Sequence, residues 1–307
     1  MPKPQWYKGN IHTHTTESDG DDTPENVVGW FRRHGYDFLV LSDHNHLTLF
    51  EYAEGRRKFK KPLLVPGEEV TLRVNEGRTA VHINAIGISR VVEPIDADGV
   101  ISTLQANVDA IVSAGGIASL NHPNFLWSFD HDHISQVTGA TLLEIFNGHP
   151  ATNVYGAPGK PSYEEIWDGV LSNGKAIFGV ATDDSHNYKD FHPGMANPGR
   201  GWVVVRAPEL SSDAIVEGLA SGDFYSSTGV ELADLESSQE SVSLRIEQQR
   251  DFIYTTSFVG RDGETLSEVN GLEASYELRG DEGYVRAAVK SSSGTAAWTQ
   301  PVFLPGA

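Results

Sequence analysis

The chain contains no cysteine. That excludes a disulfide framework and thiolate zinc sites alike, so any metal must be held by His, Asp and Glu, a donor set that suits zinc, manganese or iron. Long apolar runs are also missing. No stretch approaches the ~18 uninterrupted apolar residues of a membrane span, and the opening Met1-Pro2-Lys3-Pro4-Gln5-Trp6 lacks the apolar segment of a secretion signal. The expected location is cytoplasmic, with no membrane partner. Basic residues are scarce: 23 Lys and Arg stand against 42 Asp and Glu, a formal charge of -19. Such a field repels an extended nucleic acid, so the expected partner is a small molecule.

What the sequence does have is histidine in company. His12 and His14 sit two apart at the end of an apolar run, and on an extended segment their rings point to the same side. Similar clusters recur at Asp43-His44-Asn45-His46, Gly67-Glu68-Glu69, His82, Asn121-His122-Pro123 and Asp183-Asp184-Ser185-His186. Singly, each has an ordinary reading as a loop histidine, a turn or a helix cap. Jointly, they point to bound metal, because so many ionisable groups need a shared partner.

The pattern between the clusters predicts their placement. Residues 6–14, 36–42, 117–120, 141–146 and 176–182 read as strands, and the helices expected near 23–35, 48–59, 98–115, 163–173 and 212–221 alternate with them. A hairpin over 70–88 carries His82 on its returning arm. Most candidate residues then fall where a strand exits, the face on which βα barrels build their sites. The basic run at 56–61 is read as the solvated C-terminal end of the 48–59 helix. From about Val230 the texture changes to short alternating runs with Gly, Asp and Ser turns, which predicts a small antiparallel β-sandwich. The expected division is 1–229 and 230–307.

Taken in order, His12-Thr13-His14, Ser18-Asp19-Gly20, Ser42-Asp43-His44, Gly67-Glu68-Glu69, His82, Asn121-His122-Pro123 and Asp184-Ser185-His186 resemble the polymerase and histidinol phosphatase (PHP) family of metal-dependent phosphoesterases. The resemblance covers the first ~230 residues and implies a distorted (β/α)7 barrel. It further implies a first metal on His12, His14, Glu69 and Asp184, a second on His82 and His122 bridged by Glu69, and a third on Asp19, His44 and His186. Glu69 is preferred over Glu68 because the family pattern is Gly-X-Glu, and Asp184 over Asp183 because it is Asp-X-His. Asp43 is expected to orient an imidazole from behind.

The expected chemistry is hydrolysis of a small phosphate monoester or diester by a metal-bound hydroxide at a di- or trinuclear site, with Glu69, Asp184 and His186 in the catalytic set. Arg78, Lys160 and Arg200 are the candidate anion clamps, and His149 and His46 can face substrate. The alternative is a carboxylic ester, carbamate or amide as substrate on the same cluster, favoured by an aromatic mouth from Phe125, Trp127, Phe129 and Tyr188. A further reading makes the metals structural, with the β-rich tail recognising a carbohydrate or a protein.

Overall fold

The computed structural model describes residues 4–48 and 62–304. Strand Gln5–Asn10 lies inside its main sheet, parallel to Phe38–Leu39 and antiparallel to Trp202–Ala207. Phe38–Leu39 pairs in turn, again parallel, with Leu63–Leu64. A second sheet has five strands in the order Gly67–Val74, Thr79–Ile86, Ile117–Leu120, Ala140–Asn147 and Phe178–Thr182. Its first three strands are mutually antiparallel, and only the last two joints are parallel.

The expected distorted (β/α)7 barrel is not confirmed, since the described strands form no closed barrel. The strands divide into separate sheets, because the hairpin of Gly67–Val74 and Thr79–Ile86, expected over 70–88, stands in place of a parallel βα step, and Trp202–Ala207 enters its sheet antiparallel. Where the sheets approach, they are joined by isolated parallel bridges, Thr13 to Ser185 and His44 to Glu69. Both bridges lie in the histidine clusters, so the histidines occupy the seam between the sheets. A shared apolar layer fills the space behind them, with Ile11, Phe38, Val40, Leu142 and Val180 all buried.

The helices form where the capping signals stand. Thr23 caps Pro24–Arg33 by accepting from the Asn26 amide, and Gly35, at φ 77°, ends the run. Ser162 and Glu165 close a reciprocal capping box on Tyr163–Ser172. Val100–Ser113 and Ser212–Ser221 follow the expected spacing. The helix expected over 48–59 and its basic run lie outside the described residues, Thr48 apart. Among the described residues no helix is long and apolar enough to cross a membrane.

Beyond Val230 the chain makes a three-stranded antiparallel sheet, Leu232–Ser237, Ser241–Ile246 and Glu273–Glu277, packed on strands Tyr254–Val259 and Tyr284–Ser291. The facing strands do not form a separate sheet. Ala296–Thr299 pairs with Phe224–Ser227, which pairs with Trp202–Ala207, so one ten-stranded sheet runs from the first strand into the β-rich tail. Arg286 pins the tail to helix Tyr163–Ser172. Its guanidinium, 2% exposed, bonds both oxygens of Asp168 at 2.8 and 2.7 Å, and Tyr284 donates to the same carboxylate at 2.8 Å.

Candidate metal centre

His12 and His14 lie just past strand Gln5–Asn10 with the buried Thr13 between them, so both rings turn to the seam. The hairpin delivers the next groups. Thr71 stands directly opposite His82 in its register, and Glu69, Thr71 and Arg73 share a face because strand side chains alternate. His122, at φ 26°, and Asp184, at φ 48°, hold unusual backbone conformations at strand exits. Such positive φ values at non-glycine residues cluster at functional sites.

The distances define one cluster. Glu69 Oε1 lies 3.4 Å from His12 Nε2, 3.3 Å from His82 Nδ1 and 3.2 Å from His122 Nε2, while Asn121 donates to it at 2.8 Å. Asp184 Oδ1 lies 3.2 Å from His12 Nε2 and 3.3 Å from His14 Nε2. Asp19 meets His186 Nε2 at 3.2 Å and His44 Nε2 at 3.5 Å, and the His14 and His186 rings stack at 4.1 Å. His44 reaches further than its expected set, since its Nδ1 is 2.7 Å from Glu69 Oε2. Four overlapping groups have the spacing to hold an ion: His14, Asp19, His44 and His186; His12, His14 and Glu69; His12, His122 and Asp184; His44, Glu69 and His82.

The electrostatics show why protons alone suit this cluster poorly. Burial would lower the His44 imidazole, yet Glu69 and Asp19 lift it to about 10. Burial lowers His14 to about 4, and the neighbouring His186 pushes the same way. Glu69 is buried, which would raise it, but His82, His12 and His44 hold it well below the carboxylate range. Protons therefore sit on some rings and are refused by others. His12 Nε2 and His14 Nε2 are buried with no hydrogen-bond partner among the described residues, yet they lie 3.2 and 3.3 Å from Asp184 Oδ1. Orphaned donor atoms converging on carboxylates are what a bound divalent cation satisfies, so the residues fit the metal that their chemistry implies.

The surrounding hydrogen bonds set the tautomers. His12 Nδ1–H donates to Glu144 Oε1 at 2.7 Å and His186 Nδ1–H donates to the Asp184 carbonyl at 2.9 Å, so in both rings Nε2 carries the free lone pair. Glu144 is the group that sequence reasoning missed. It is fully buried and also accepts from Thr182 Oγ1, the His122 amide and Asn147 Nδ2. Asp43 does not orient an imidazole as expected. It binds Thr15 and Ser18 and so shapes the 15–19 turn, where a Cβ on Gly20 would come within 2.6 Å of the His14 carbonyl oxygen.

Of the paired acids, Glu68 turns away to the Val92 amide, and Asp183 accepts from Asn10 and from the amides of 199–201. Burial raises Asp183 to about 6 despite those amides. The expected anion clamps do not gather at the cluster. Arg78 sits on the exposed hairpin turn against Glu76, Lys160 lies over the Trp127 ring at 5.7 Å, and Arg200 donates to the Gly148 carbonyl at 2.8 Å. His46 faces Glu17 at the surface. Arg73 does line the cavity, of about 180 Å3, together with Phe125, His149 and Thr152. The expected aromatic mouth reduces to Phe125, since Phe129 is core and Tyr188 lies behind the site, bonded to Ser185 and Thr13.

No family model matches the chain, and no curated protein matches it. Solved structures do. A two-domain protein from Bacteroides vulgatus containing a predicted PHP-like metal-dependent phosphoesterase aligns over 94% of this chain and 90% of its own, with 17% identity and a TM-score of 0.53. A putative metal-dependent phosphoesterase from Bifidobacterium adolescentis aligns over 64% and 91%, with 17% identity and a TM-score of 0.43. An amidohydrolase from Chromobacterium violaceum, with bound sulfate and no metal, aligns over 62% and 93%, with 16% identity and a TM-score of 0.37. With the Bacteroides protein the likeness is one of fold, and it extends through the β-rich tail.

Proposed function

We propose that the chain is a metal-dependent phosphoesterase that hydrolyses a small phosphate monoester or diester at the seam between its two sheets. The convergence of the buried, unpartnered His12 and His14 Nε2 atoms on Asp184, within four overlapping groups spaced to hold an ion, carries this reading. We assign a first ion to His12, His14, Glu69 and Asp184, a second to His82 and His122 sharing Glu69, and a third to Asp19, His44 and His186. Zinc, manganese or iron suits nitrogen and carboxylate donors without thiolate. When bound, such ions polarise a phosphoryl oxygen and bring the pKa of water towards neutrality.

The side chains supply the rest. Glu144 fixes the His12 tautomer so that Nε2 faces the cluster. Asp184, on the cavity wall, accepts the proton of an attacking water, while Glu69 and His186 hold their neighbours in register. His149 Nδ1 accepts from the Ala151 amide at 3.1 Å, which leaves its proton on Nε2, and burial lowers the ring's pKa. A neutral Nε2–H on the cavity wall donates to a phosphoryl or leaving-group oxygen. Arg73 supplies a fixed positive charge at the mouth and favours phosphate over an uncharged carboxylic ester. Phe125 stands 5.3 Å from the His122 ring and keeps water from that side.

The test is hydrolysis of p-nitrophenyl phosphate, bis-p-nitrophenyl phosphate and p-nitrophenyl acetate after chelation and readdition of manganese or zinc. Metal-dependent release from a phosphate substrate, lost in His14→Ala and His122→Ala, is expected. Release from acetate alone would move the chain to the carboxylic ester and carbamate branch.

A further inference from the structure

A cavity of about 540 Å3 opens where the β-rich tail meets the first half of the chain, and the site described above does not use it. Its walls come from strand Ala140–Asn147, the start of helix Tyr163–Ser172 and the turn that follows strand Tyr284–Ser291. Phe146 and Trp298 form an aromatic wall, their rings nearly parallel at 27° and 6.3 Å apart. Trp298 is 5% exposed, and its indole Nε1 is a buried donor with no partner among the described residues. The indole N–H is inaccessible, so the ring's contribution to the cavity is apolar surface, beside that of the half-buried Phe146.

The opposite wall is a triad of hydroxyls. Ser291 Oγ lies 2.6 Å from Ser293 Oγ and 2.8 Å from Thr295 Oγ1, and Ser293 lies 3.1 Å from Thr295. Each can turn its proton either way, so the triad offers donors and acceptors on demand. The charges nearby are one Lys290 and one Glu164, which cancel and leave no field for an anion. A purely apolar ligand would give these hydroxyls nothing to bond beyond one another. An aromatic wall beside reversible hydroxyls matches a molecule with apolar C–H faces and a rim of hydroxyls. The volume falls in the range of about 300–1,000 Å3 typical of small-molecule sites.

We propose that this junction cavity binds a saccharide, a mono- or disaccharide, with one sugar face on Phe146 and Trp298 and its hydroxyls on Ser291, Ser293 and Thr295. The site also has a relation to the metal cluster. A second cavity of about 430 Å3 shares Phe146, Val154 and Tyr155 with it, and shares His149 and Thr152 with the metal-site cavity. The three cavities are thus neighbours between the imidazoles and the tail. If the proposed hydrolase activity holds, the saccharide is the alcohol part of the ester; saccharide binding itself does not depend on that activity.

The experiment is a screen of the full chain on an array of mono- and oligosaccharides, followed by titration of the best binder by calorimetry, with sodium phosphate as the counter-probe. Phe146→Leu and Ser293→Ala are the variants; the first keeps an apolar side chain and removes the aromatic face, and the second alters only an exposed turn. Saturable saccharide binding that phosphate does not displace, weakened about three- to tenfold in each variant, is expected for the loss of one ring contact or one hydrogen bond. No saturable binding across the array would overturn the proposal, as would binding unchanged in both variants. Because neither readout uses turnover, a chain that binds saccharide yet cleaves no phosphoester would refute the proposed hydrolase and leave this site standing.

Discussion

Glu144→Gln tests the support beneath the cluster without touching any assigned ligand. The carboxylate uses both oxygens: Oε1 accepts from His12 Nδ1 and Thr182 Oγ1, and Oε2 accepts from the His122 amide and Asn147 Nδ2. Glutamine can keep only one of these as an acceptor. Whichever oxygen becomes an amide, two donors then face a donor, and a buried unsatisfied group costs about 1–3 kcal/mol. The Thr182 hydroxyl can rotate to accept, which spares one of them. Destabilisation of about 2–4 kcal/mol is expected. His12 also loses the anion that fixes its tautomer, and metal affinity should fall about 10–100-fold, as it does when partners behind ligating histidines are removed. The assays are urea unfolding of the metal-free chain and zinc titration against a chromophoric chelator. Zinc affinity equal to wild type in a folded Glu144→Gln chain would refute the role given to this residue.

Four further outcomes follow from the same structure. Chelation should lower the melting temperature, and readded metal should restore it, by about 4 kcal/mol when free metal stands at 1,000 times its Kd; a melting curve indifferent to chelator would count against metal at the seam. Arg73→Ala should reduce kcat/KM for phosphate substrates while leaving p-nitrophenyl acetate unaffected, whereas Arg78→Ala, on the exposed turn against Glu76, should change neither. Arg286→Ala should cost about 3–5 kcal/mol in equilibrium unfolding, because it leaves Asp168 buried without its cation. Gly20→Ala should weaken metal binding with little loss of secondary structure by circular dichroism, since its Cβ would press on the His14 carbonyl and move the turn that carries Asp19.

Much of the cluster was legible because metal ligands recur as short local patterns. His12, His14, Asp19, His44, Glu69, His82, His122, Asp184 and His186 all come together at the seam. The choice within the acidic pairs also has a visible physical basis: Glu68 and Asp183 are spent on backbone amides, while Glu69 and Asp184 face imidazoles. Glu144 was passed over because a lone acid inside an apolar strand carries no motif; its partners come from four separate positions that only the fold assembles. Arg73 had a signal that went unused. It lies four residues after Glu69 on one strand, hence on the same face, whereas Arg78 was chosen for its loop position.

The sheet arrangement was less legible than the elements. The hairpin over 70–88 was read from its turn, but apolar runs of strand length do not state their direction, so the antiparallel pairing of Ile117–Leu120 with that hairpin and of Gln5–Asn10 with Trp202–Ala207 was not. The tail likewise reads as a separate unit from its composition. Pairing of Phe224–Ser227 with Ala296–Thr299 instead continues the main sheet into it, a contact across seventy-odd residues that no local pattern announces.

The most direct measurement is the metal content of the full chain, loaded with zinc or manganese, freed of unbound ions and analysed by plasma mass spectrometry beside His14→Ala and His122→Ala. Two or more tightly held divalent ions per wild-type chain are expected, and fewer in each variant, with circular dichroism unchanged. A wild-type chain that retains no metal, or variants that retain as much as wild type, would contradict the assignment of metal to the seam.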